Sequence, residues 1–138
     1  MLKWMFAAVT AIAIGVVSFF AFVLNEADGV PFEHREATLA EMRAPDALLV
    51  DIRTAPEWVD TGVIPEAELV TFTYPDVFLE DIRGQLGDKK LVLICRTGNR
   101  SGRAAQILSE MIDNPILSVD GGMRDLIAGG YKTSAPVR

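Results

Sequence analysis

Cysteine and histidine are nearly missing from this chain: Cys95 and His34 are the sole examples among 138 residues. One thiol cannot close an intramolecular disulfide, and with a single imidazole it cannot make a conventional four-ligand zinc site. Positive charge is also short, with 13 Lys and Arg against 19 Asp and Glu. The resulting net charge of −6 argues against general nucleic-acid binding, which depends on neutralising phosphates. No internal repeat or low-complexity tract is visible, and the length leaves room for one domain with one core.

Apolar residues, in contrast, make up 50% of the chain and are unevenly spread. Trp4 to Leu24 is a run of 21 residues without a charge, apolar at every position except Thr10, Gly15 and Ser18. As a helix it reaches roughly 30 Å, the thickness of a bilayer's hydrocarbon layer. Being apolar on every face, it has no stripe with which to pack onto a small domain. Lys3 precedes it and Glu26 and Asp28 follow, which places the N-terminus inside and the rest of the chain outside, with Trp4 at the interface. The span length favours an uncleaved anchor over residues 1–24; the alternative is a removed signal peptide, with Ala27-Asp28-Gly29 as cleavage candidate. Either way the domain is expected to be exported, on the periplasmic side of an inner membrane or soluble in the periplasm.

Removing residues 1–24 takes away only Lys3 among the charged side chains, so the remaining chain is still more acidic. Asn25 to Glu36 is polar, contains Gly29 and Pro31, shows no period and reads as a linker in which His34 is plain solvated surface. The domain is expected over residues 37–133, with 134–138 as a tail. Within it, Ala47-Leu48-Leu49-Val50 and Leu91-Val92-Leu93-Ile94 are continuous apolar runs, the pattern of parallel strands covered on both faces. Ala67 to Phe72 and Ile116 to Val119 are weaker strand candidates. Pro56 to Thr61, Asp76 to Leu86 and Ser101 to Ile112 read as helices, the last with Ala104, Ala105, Leu108, Met111 and Ile112 on one face. Alternating strands and helices predict a three-layer α/β domain, whose ligands collect at the carboxyl ends of the strands. Asp51, Cys95 and Asp120-Gly121-Gly122 all fall at such ends.

The richest stretch is Cys95-Arg96-Thr97-Gly98-Asn99-Arg100-Ser101-Gly102-Arg103, running from a buried strand into an amphipathic helix. A thiol ionises more easily where it faces a helix N-terminus or guanidinium groups, and both are supplied here. Gly98 permits a tight turn that points successive N–H groups inward, and Asn99 or Ser101 can cap the helix. Between Asp88 and Glu110 lie Lys89, Lys90, Arg96, Arg100 and Arg103 with no acidic residue, a patch that would steer an anion. The competing reading of Cys95 is an inert core thiol, since free cysteine is among the most buried residue types. Strand-end Asp51 and Arg53 read as a charge pair bracing loops, and Trp58 as core.

Three segments together resemble the rhodanese family over roughly Ala37 to Lys132. Asp51-Ile52-Arg53 with Glu57-Trp58 looks like its Asp-x-Arg-x-x-x-Glu-aromatic segment, Cys95 to Ser101 like its active-site loop, and Asp120-Gly121-Gly122 through Gly130-Tyr131 like its C-terminal signature. With one leading apolar segment, the chain looks most like small exported single-domain rhodaneses such as the phage-shock periplasmic type. The resemblance implies a five-stranded parallel sheet with helices on both faces. It also implies sulfur transfer: a Cys95 thiolate takes the outer sulfur of thiosulfate or a polysulfide as a persulfide and passes it to a thiol or cyanide. Amides of Arg96, Thr97, Gly98, Asn99, Arg100 and Ser101 would stabilise the anionic sulfur, and Arg96 and Arg100 would bind the donor's anionic part. No metal or organic cofactor is implied.

Two departures stand out: the usual Gly-His-Ile-Pro-Gly-Ala reads Gly62-Val63-Ile64-Pro65-Glu66-Ala67, and the usual Trp after Gly-Gly is Leu126. The first replaces a polar group expected near the surface, the second a packing ring. A phosphatase loop would need Cys-x5-Arg, whereas Arg100 follows Cys95 after four residues and position 101 is Ser. The rival of another class is a membrane-tethered module that binds without catalysing.

Overall fold

A computed structural model describes residues 32–137. Five parallel strands form one sheet in the order β1-β5-β4-β2-β3: β1 Glu33–Arg35, β2 Ala47–Asp51, β3 Glu68–Leu69, β4 Lys90–Ile94 and β5 Ile116–Val119. Five helices connect them: α1 Leu39–Met42, α2 Ala55–Thr61, α3 Pro75–Leu86, α4 Asn99–Ser109 and α5 Gly122–Ala128. The expected three-layer α/β architecture is therefore present. No helix among the described residues is long and apolar enough to cross a membrane, and the expected anchor or signal segment over residues 1–24 lies outside them.

The two continuous apolar runs are β2 and β4, two of the three inner strands, paired with Val50 opposite Leu93. Side chains alternate across a strand, so each run feeds both faces of the sheet. Leu48, Val50, Leu91, Leu93 and Cys95 enter one core with Phe78, Ile82 and Leu86 of α3 and Ala104, Ala105 and Leu108 of α4. Leu49, Val92 and Ile94 enter the other with Met42 of α1, Ile64 and Met123 of α5. Each Val, Leu, Ile, Phe or Met among them, fully buried, contributes about 1.5–3 kcal/mol. Cys95 continues the alternation of β4 and so faces α3 and α4, at 1% exposure.

Where the structure departs from the sequence reading, local causes are visible. The polar stretch read as a linker over residues 25–36 contains β1, which pairs with β5 through His34 opposite Ser118. The third strand is two residues rather than the expected Ala67 to Phe72, although Val70 and Phe72 still donate to Asp51 O at 3.2 Å and Ile52 O at 3.3 Å. Helix α4 stops at Ser109, three residues early, so Met111 leaves the apolar face and is 47% exposed. The tail is tied at its first residue: Val63 and Ser134 exchange backbone hydrogen bonds at 2.8 and 2.9 Å. Val63 is itself buried rather than superficial, and Leu126 packs half-buried on the second core.

Candidate active site

Parallel strands put all their carboxyl ends on one rim, and three of the chain's chemical groups sit there. After Asp51, Arg53 turns back and clamps the strand end. Its Nε lies 2.9 and 3.0 Å from the two Asp51 carboxylate oxygens, and its Nη2 donates to Asp51 Oδ2 at 2.7 Å. The same guanidinium donates to Thr61 Oγ1 at 2.7 Å and to Gly62 O at 2.9 Å, holding the C-terminal end of α2 against β2. Both partners of the pair are 1% exposed. The brace read from sequence is thus a fully buried ion pair with its donors satisfied.

At the end of β4 the loop from Arg96 to Gly98 bends around the Cys95 sulfur and enters α4. Gly98 makes the turn at φ 96°, where its N–H donates to Cys95 Sγ at 3.1 Å. A side chain there would be strained by the left-handed backbone, and its Cβ would lie 3.0 Å from Asp120 Oδ1. Ser101 Oγ lies 3.5 Å from the sulfur and donates to Gly98 O at 3.0 Å. Gly98 itself is the N-cap residue of α4, and neither Asn99 nor Ser101 caps it with a side chain, contrary to expectation. Burial pushes the Cys95 thiol up, but the Ser101 hydroxyl and the amides of Ser101, Thr97 and Gly98 outweigh it and leave the thiol below its ordinary range.

The loop is supported from α5. Met123 N and Arg124 N, in the first turn of α5, donate to Cys95 O and Arg96 O, each at 2.9 Å. Gly122 makes this approach possible, since a Cβ at its φ of 55° would collide with the Cys95 carbonyl oxygen. With those carbonyls engaged from behind, the loop's amides are left to face the sulfur.

The basic side chains divide into separate groups. Lys89 and Lys90 lie at the amino end of β4, about 16 Å of strand away from Cys95, so the expected single patch is not formed. Arg96 is exposed and lines a cleft of about 280 Å³ with Arg53, Arg124, Glu57 and Thr61. Arg100 does not join it. Its two Nη atoms donate to the two Glu57 oxygens at 2.8 and 2.6 Å, a bidentate pair between α4 and α2. Glu57 also accepts from Thr54 N at 3.0 Å in a capping box. Chiefly through Arg100, against some burial, and with help from Thr54, its carboxyl is pulled down to about 2. Arg100 is raised in turn, first by Glu57 and, more weakly, by Cys95 and Asp51.

Cys95, Gly98 and Ser101 thus meet around the sulfur, whereas Arg96, Asn99 and Arg100 open to solvent and Thr97 is half-buried. Sequence reasoning missed Glu57 as the partner of Arg100 and, on β5, the buried Ser118. A serine inside an apolar strand is a signal that could have been followed, because a buried hydroxyl requires a partner. Trp58 is half-buried and belongs to neither core, and its indole N–H is buried without a partner among the described residues. Nor do three His, Cys, Asp or Glu side chains come together among them as a metal-binding group.

Comparison with known proteins agrees with this architecture. A sulfurtransferase of Allochromatium vinosum is 31% identical over 114 residues, covering 83% of this chain and 98% of that protein. A solved structure from Rhodopseudomonas palustris, described as a protein of unknown function and possible tyrosine phosphatase, is 26% identical with a TM-score of 0.66, covering 80% of this chain and 90% of that one. A rhodanese-related protein from Thermoplasma volcanium is 26% identical with a TM-score of 0.58, covering 76% and 99% of the two chains. The rhodanese-like domain family matches residues 35–128, and this chain belongs to it.

Proposed function

We propose that this protein is a sulfurtransferase that carries sulfane sulfur as a persulfide on Cys95. The observation that supports this most directly is a thiol at a strand end, with Gly98 N–H 3.1 Å and Ser101 Oγ 3.5 Å from its sulfur and its ionisation favoured by both. The Cys95 thiolate attacks the outer sulfur of thiosulfate; the sulfur–sulfur bond breaks and sulfite leaves with the electron pair. An acceptor thiolate or cyanide then attacks the outer sulfur of the persulfide and returns the pair to Cys95. The loop amides meet the anionic sulfur in both states. Arg96, beside Arg53 and Arg124 in the cleft, receives the donor's anionic end, and Arg100 joins when an incoming anion competes with Glu57. The leading apolar segment holds the domain on the outer side of a membrane, or is removed to release it there; fractionation with sequencing of the mature N-terminus separates the two.

Thiosulfate treatment of the full chain should add one sulfur atom to Cys95 by mass spectrometry, and cyanide should remove it as thiocyanate. Cys95→Ser should show neither. Failure of wild-type protein to take up sulfur from thiosulfate or polysulfide would leave a binding-only module. Aryl phosphate turnover that disappears in Cys95→Ser would instead support phosphatase chemistry, against which the Cys-x4-Arg spacing argues.

A further inference from the structure

A row of hydrogen-bonded side chains runs from the protein surface to the buried sulfur. His34 Nδ1 of β1 is 2.9 Å from Ser118 Oγ of β5, Ser118 Oγ donates to Ser101 Oγ of α4 at 2.9 Å, and Ser101 Oγ is 3.5 Å from Cys95 Sγ. On the other side of the ring, His34 Nε2 is 3.6 Å from Asp120 Oδ1. Both serines are 0% exposed, and Ser118 interrupts a strand otherwise made of Ile116, Leu117 and Val119. A buried hydroxyl left unpaired is destabilising, and an apolar residue would fill either place without that risk. The two hydroxyls instead fill the gap between an imidazole and a cysteine that is 1% exposed.

Each hydroxyl has one proton, so the direction of the row can be worked out. Ser101 gives its proton to Gly98 O, and Ser118 gives its proton to Ser101. In this orientation Ser118 is free to accept from His34, the tautomer with its proton on Nδ1 being the donor. The charged groups around the ring on the described residues are few. Asp120 faces it from the end of β5, and α4 turns Gly102 towards it, where a Cβ would lie 3.4 Å from ring atoms. On β1 itself Glu33 and Arg35 alternate to the other side and are paired with each other at 2.6 Å.

We propose that His34 is the proton store of Cys95, a positioning residue that acts on the sulfur through Ser118 and Ser101. With the hydroxyls rotated the other way, the thiol S–H donates to Ser101, Ser101 to Ser118, and Ser118 to a neutral His34 whose Nε2 carries the proton. Ionisation then moves one proton one place along each link: the S–H bond breaks, Ser101 gains that proton and passes on its own, Ser118 does the same, and an N–H bond forms at Nδ1. A thiolate and an imidazolium result, with Asp120 facing the new positive charge. No electrons are exchanged, and the reverse run restores the thiol.

The inference rests on Cys95 as the sulfur carrier, yet its test needs no sulfur donor. Full chain without a histidine tag should be alkylated at Cys95 by iodoacetamide across a range of pH, in wild type, His34→Gln and Ser118→Ala. Near neutral pH both variants should react on the order of tenfold more slowly, the equivalent of a thiol midpoint raised by about 1 unit. Above the ordinary thiol range the rates should converge. His34→Gln can still hydrogen-bond Ser118 but cannot store a proton, so its profile superimposing on wild type would overturn the proposal. The single histidine gives a second reading that requires no folded variant: its ring titration by NMR should move when Cys95 is alkylated, and an unmoved titration also overturns the proposal. Loss of sulfur uptake with this coupling intact would reject the transfer reading alone.

Discussion

Two ion pairs flank the same rim and differ in almost everything except their charges. Asp51–Arg53 is 1% exposed on both sides, spans two residues of sequence and has its guanidinium held by three further oxygens, from Glu57, Thr61 and Gly62 around α2. Glu57–Arg100 spans 43 residues, with side chains 27% and 43% exposed. Removing charge from water is costly, so the buried pair persists only because its geometry is complete, and breaking one half strands the other. The exposed pair is screened, and water can replace either partner at small cost. Burial therefore assigns the first pair to the frame of the site and leaves the second able to open.

The largest test of that contrast is Arg53→Leu, which should lower stability by about 3–5 kcal/mol in urea unfolding because Asp51 is left charged and unpaired. Adding Asp51→Leu should regain most of the loss; no recovery would mean that the frame depends on the contacts to α2 rather than on the charge pair. Next in size is Gly98→Ala, expected to cost about 1–3 kcal/mol through its left-handed backbone, while slowing Cys95 alkylation as the Gly98 N–H shifts. Smaller again is Arg100→Gln, which should change stability by about 1 kcal/mol or less at neutral pH and lose that effect in high salt. A loss as large as that of Arg53→Leu would erase the distinction between the pairs.

Acid separates them most finely. The Glu57 carboxyl titrates near 2 in the folded chain against an ordinary 4.5, so the unfolded chain takes up the proton first as pH falls. The stability it contributes is complete above about 4.5 and is lost as pH drops from there towards 2. Glu57→Gln should accordingly show a shallower acid decline than wild type over that window, measured by thermal melts at each pH.

Much of the frame was legible because it is written in local patterns. The runs Leu48 to Val50 and Leu91 to Ile94 are apolar at successive positions, the pattern of short strands covered on both sides, and they place Asp51 and Cys95 at strand ends. The glycine turn at Gly98 was readable for the same reason. Strand β1 was not, since Glu33, His34 and Arg35 are all exposed and carry no apolar period. Helix α1 did leave a sign in Thr38, whose hydroxyl accepts from Glu41 N at 3.2 Å, but four residues give too little pattern to read. The Glu57–Arg100 and His34–Ser118 contacts join residues 43 and 84 apart, and no periodicity encodes such distances.

Trp58, one residue from Glu57, is the sole tryptophan between residues 32 and 137. Its unpartnered indole N–H is shielded from solvent on the helix that carries the openable half of the site. The domain thereby contains its own optical gauge. Emission from that ring should redden when α2 loosens and water reaches it, so the anion binding proposed at the rim can be followed by light without attaching a dye.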